Sequence, residues 1–113
     1  MAAELHKFTG SICREHFFAV TFDDPDLQGQ LLEVFGQQLE DFRRGLFATS
    51  NSESFLRRLH RLKGSALGVG AFAFADALEA VEQASVHGSA PKLDLVNACL
   101  EAVTKDVETL RKL

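Results

Sequence analysis

Apolar residues recur along this chain at helical spacing almost from end to end. Leu31, Phe35, Leu39, Phe42 and Leu46 repeat at intervals of four, four, three and four, which predicts one long amphipathic helix from Pro25 to about Phe47. Phe55, Leu59, Leu62 and Ala66 mark the buried stripe of a second helix. Phe74, Ala77, Leu78 and Val81 mark a third, from Phe72 to about Val86. Val96, Leu100, Val103, Val107 and Leu110 alternate four and three in the manner of bundle packing and give a fourth. The apolar run Ile12 to Phe22 fits a strand or a helix; a lone strand would have no partner among helices, so a short helix is expected. Residues 1–11 read as a partly ordered tail.

Punctuation agrees with these elements. Asp24 can cap the long helix, with Pro25 at its first position and Asp26 near the positive end of its dipole. Ser50 to Glu53 has the spacing of a capping box that would start the second helix. Gly68 and Gly70 would close it, and Val86 to Pro91 is a turn with a proline restart. The fold expected is all-α: an antiparallel four-helix bundle with an additional short N-terminal helix, in one domain over residues 1–113.

Against this frame His60 stands out. At about 100° per residue it points away from the stripe of its own helix, toward water. One turn either way lie Leu56, Lys63, Gly64 and Leu67. Gly64 costs about 0.5–1 kcal/mol relative to alanine inside a helix, and no packing need explains it on the exposed side. An approach by something outside, close to the histidine, does explain it, with Leu56 and Leu67 as the apolar part of a docking patch. A neutral imidazole is a competent nucleophile near neutral pH.

The run His60-Arg61-Leu62-Lys63-Gly64-Ser65, with Gly70 ten positions after the histidine, resembles the signature of histidine-containing phosphotransfer (HPt) domains, the intermediates of multistep phosphorelays. The resemblance covers most of the chain. It implies that His60 takes a phosphoryl group from a receiver-domain aspartate and passes it to another, with Lys63 stabilising the phosphoryl oxygens. It also implies receiver domains and a hybrid sensor kinase as partners, with Mg²⁺ brought by the receiver and no cofactor on this chain. Arg57 and Arg61 flank His60 and make its face locally positive, which would steer an acidic partner. Ser65 either adjoins the phosphoryl site or simply packs. Glu82, on the neighbouring helix, either orients the imidazole or is a surface carboxylate. A helical adaptor binding through the same face is a competing reading. A sensor-kinase dimerisation module is another, disfavoured because Arg61-Leu62-Lys63-Gly64 follows the histidine where such modules carry an acidic residue and later a proline.

Composition narrows the classes. Hydrophobic residues at 46% and charged residues at 25% suit a globular domain, and a net charge of −4 argues against a general nucleic-acid binder. Cys13 and Cys99 have no metal-ligand spacing and suit free thiols in a reducing cytoplasm. His6, His16 and His87 share no ligand spacing and are expected to be incidental. The phenylalanines at helical spacing are expected in the core. There is no phosphate loop or nucleotide signature, so a stoichiometric carrier is expected, monomeric and cytoplasmic. No signal peptide and no run of about 18 apolar residues is visible.

Overall fold

A computed structural model describes residues 12–45, 53–88 and 93–112. Five helices occur among them: α1 (Arg14–Val20), α2 (Pro25–Gly45), α3 (Glu53–Val69), α4 (Phe72–Val86) and α5 (Asp94–Arg111). The expected tail, the expected capping residues Ser50 to Ser52, and Leu46 and Phe47 lie outside the described residues.

Helices α2 to α5 pack in a closed ring, α2 on α3, α3 on α4, α4 on α5 and α5 back on α2, with α1 laid against α3. Neighbours run antiparallel. One groove between α2 and α3 joins Leu31 and Val34 to Ser65 and Gly68, while the next joins Gln38 and Phe42 to Arg58 and Arg61. Between α2 and α5, Gly36 lies against Val107 and Arg43 reaches Glu101 at 2.8 Å. The all-α antiparallel bundle with a short leading helix is therefore what the apolar spacing specified.

The stripes of α3, α4 and α5 are buried as expected, including Leu59, Ala66, Phe74, Leu78, Val96 and Val103. In α2 the stripe starts one residue later. Leu32 is buried and Leu31 only half-buried, because Leu31 lines the open groove facing α3. The phenylalanine rule has an exception: Phe22 is 84% exposed. It sits past the end of α1, where Phe22 and Asp23 take left-handed φ values of 54° and 55°. Asp24 caps α2 as expected, its Oδ1 accepting from the Asp26 amide at 3.0 Å.

Gly68 does not end α3. The helix continues through Val69, and Gly70 alone makes the turn, at φ +95°. The Ala71 amide donates to the Ala66 carbonyl at 2.8 Å and the Gly70 amide to Leu67 at 3.3 Å, the pairing that closes a helix through a left-handed residue. α1 docks on this turn: the Cys13 amide donates to the Gly70 carbonyl at 2.9 Å. Nor is His16 incidental. Its Nε2 donates to the Gly68 carbonyl at 3.0 Å and its ring meets Phe72 edge-on at 5.2 Å. Asp106 ties the other flank, accepting from the Ile12 amide at 2.7 Å and from both Arg14 guanidinium nitrogens at 2.6 and 2.7 Å. That pairing raises the already high pKa of Arg14.

Candidate functional site

Apart from Ser65, the expected site residues lie on the outer face of α3 and the adjoining edge of α4. The His60 side chain is 73% exposed, as its place opposite Leu59 and Leu62 requires. Arg57, Arg61 and Gly64 are exposed beside it. Leu67 is exposed, whereas Leu56 is only half-buried surface, packed against the core edge. Apolar docking area on this face therefore comes more from Leu67 than from Leu56. Ser65 is half-buried and lines the α2–α3 groove with Val34, Gln38 and Gly68, which turns it away from the imidazole.

A Cβ built on Gly64 meets nothing within 4 Å, and the same is true of Gly68. His60 and Gly64 stand at i and i+4 and so share one face, while Gly68 lies further round the helix, at the α2–α3 groove. Beside the imidazole, α3 therefore presents bare backbone at Gly64, with the exposed Leu67 one turn further on. Side chains on a helix lean toward its N-terminus, so any side chain at 64 would lean over His60.

On the α4 side the histidine faces carboxylates. Glu82 Oε2 lies 3.5 Å from His60 Nδ1, long for a hydrogen bond, so the carboxylate faces that ring nitrogen without being bonded to it. The other Glu82 oxygen accepts from Lys63 Nζ at 2.9 Å, and Glu79 Oε1 accepts from the same ammonium at 2.6 Å. Gln83 Nε2 donates to Glu79 Oε2 at 2.8 Å. Lys63 thus reaches across α3 to α4 and keeps only 18% of its side chain exposed. Glu79 first, then Glu82, raises the Lys63 pKa, and Lys63 first, then Gln83, holds Glu79 below the usual carboxylate range.

The sequence motif around His60 does not include Glu79. The signal was available: it stands three residues before Glu82, on the same face of α4. What was missing was the register of α4 against α3, which places that face under Lys63.

The sign of the two shifts fixes a pH window. A lowered carboxylate contributes stability that is present above its unfolded value of about 4.3 and is lost as pH falls through its folded one. A raised lysine contributes below about 10.4 and loses it as pH rises further. The Tm deficit of Glu79→Gln relative to the wild type should then stay constant from about pH 5 to 9 and close as Glu79 protonates below about pH 4. A deficit that persisted to pH 3 would show that the charge of Glu79 contributes nothing.

Among the described residues no group of histidine, cysteine or carboxylate side chains is arranged to hold a metal ion, and no helix is long and apolar enough to cross a membrane. Cys13 and Cys99 are free thiols, Cys99 buried with its pKa raised by that burial.

The site is thus an outward imidazole on a bundle helix, with a bare glycine one turn beyond it and a lysine at its flank. The sequence model of the Hpt domain family matches residues 26–111, which spans α2 to α5. The chain belongs to the Hpt domain family. No curated protein and no solved structure matches it. Hpt domains carry phosphoryl groups in two-component signalling and interact there with receiver domains and kinases; they are carriers rather than catalysts.

Proposed function

We propose that this chain is a phosphorelay intermediate in which His60 accepts a phosphoryl group from the aspartyl phosphate of one receiver domain and passes it to the aspartate of another. The observation that carries the reading is the solvent-facing His60 ring with nothing built over it from Gly64. In the accepting step the Nε2 lone pair forms the N–P bond. The P–O bond to the aspartate breaks, and its electron pair returns to the carboxylate. The imidazole reacts in its neutral form and keeps its Nδ1 proton on the ring, so no separate base is needed. The donating step is the reverse. Phosphoryl transfer asks for in-line positioning and charge stabilisation more than for covalent machinery, and Mg²⁺ would come with the receiver's acidic pocket.

Docking would use Gly64, Leu67 and the exposed edge of Leu56, with Arg57 and Arg61 steering the acidic receiver surface. Lys63 would supply charge to the phosphoryl oxygens with its uncommitted donor, and with a second on releasing one of its carboxylates. Turnover is stoichiometric and takes place in the cytoplasm, where receivers and hybrid kinases meet.

The test is transfer from a phosphorylated receiver of the same genome, with Mg²⁺ present. Wild type should gain an acid-labile, base-stable label and His60→Gln none, a loss limited only by detection. Equal labelling of His60→Gln, or no label on wild type from any such receiver, would overturn the reading.

A further inference from the structure

Lys63 is shared between two carboxylates that differ in their relation to the imidazole. Glu82 touches both, with one oxygen on the ammonium and the other facing His60 Nδ1. Glu79 makes no such contact with the ring, yet it takes the shorter lysine bond, 2.6 Å against 2.9 Å. Its second oxygen is held by Gln83 one turn further along α4, at 2.8 Å, so the carboxylate is fixed from behind as well as in front.

We propose that Glu79 is a positioning residue of the phosphotransfer site: braced by Gln83, it draws the Lys63 ammonium toward α4 and so limits the positive charge available to a phosphoryl group on His60. The proposal rests on His60 as the phosphorylated residue. An ammonium has three donors, and two are committed here. A phosphoryl group arriving on Nε2 brings negative charge to a cluster in which two carboxylates already face one lysine. One Lys63 donor remains for the phosphoryl oxygens, and offering them a second means giving up a carboxylate. Giving up Glu82 would also disturb the carboxylate that faces Nδ1, so Glu79 is the one to exchange. Glu79 is half-exposed, 46% for its side chain, and an ion pair in that setting shifts an equilibrium by about two- to fivefold. It acts as a brake on Lys63, not a lock.

The experiment loads the protein with phosphoramidate, a small donor whose P–N bond breaks as Nε2 bonds to phosphorus and ammonia leaves. The half-life of the phosphohistidine is then followed by phosphorus NMR. Glu79→Gln keeps the length of the side chain and removes its charge. It should lengthen the half-life about two- to fivefold, and the Lys63 ammonium should titrate nearer its ordinary value. In a Lys63→Ala background the same substitution should change the half-life little. An equal lengthening in that background would mean that Glu79 acts only as a nearby negative charge, and the positioning role would be overturned. No change or a shorter half-life in the single variant, or an unmoved Lys63 titration, would also overturn it. If His60→Gln takes up as much label as wild type, the phosphorelay reading itself fails; if His60 is labelled in every variant and only the lifetimes disagree, the role of Glu79 alone is lost.

Discussion

Replacing Gly64 by glutamine should slow phosphoryl transfer with a receiver by on the order of a hundredfold, while the protein becomes no less stable. The two halves of that result have separate causes. Within the chain a Cβ at 64 has open space around it, and glycine is a poor residue inside a helix, so Gly64→Ala should raise stability by about 0.5–1 kcal/mol. Between chains the same open space is what lets a partner's reacting group reach His60. A glutamine leaning toward the imidazole would hold the aspartyl phosphate off, and displacement of a reacting group by about 1 Å costs on the order of 10²-fold in rate. Transfer kinetics against a phosphorylated receiver, beside thermal melts of both variants, check the pair of outcomes. Wild-type transfer by Gly64→Gln would mean that no close approach occurs at this face.

Gly70→Ala should do the opposite. It lies ten residues after the histidine, but its φ of +95° and its neighbours make it structural. A Cβ there would come within 3.2 Å of the Cys13 carbonyl oxygen and 3.3 Å of His16 Cβ, both on the segment that docks against the turn. Left-handed strain of this kind costs about 1–3 kcal/mol, and the backbone contact cannot rotate away. Tm should fall by roughly 4–12 °C. The His16 bond to Gly68 and the Cys13 bond to Gly70 should loosen together, seen as faster amide exchange at Cys13. Phosphoryl transfer per folded molecule should hold near the wild-type rate, since α3 up to Val69 is untouched. An unchanged Tm would show that α1 adjusts without strain. The two glycines of one motif are thereby separated: one keeps a path open from outside, the other lets the chain turn.

Much of this was legible along the sequence because helical burial is periodic. The stripes of α3, α4 and α5 follow from spacing alone, and so does the outward direction of His60, which is fixed by its own helix. Spacing does not decide a residue's fate where it depends on something other than its own helix. Leu31 and Leu32 both suit the α2 stripe, and only the groove against α3 separates them. Gly68 and Gly70 look alike in one dimension, but only Gly70 takes the positive φ that ends the helix. His16 has no motif around it, and its role exists because α1 folds back onto the end of α3.

The sequence by itself determined the helices, their buried faces, and an exposed histidine followed by a glycine one turn on, because each of these is set within about four residues of chain. Tertiary structure decided what stands beside that histidine. The antiparallel register of α3 and α4 brings Glu79 and Glu82 to Lys63 and turns a Glu82 oxygen toward Nδ1. Those residues lie 16 to 22 positions apart in the chain, and only packing of the two buried stripes against each other makes them neighbours.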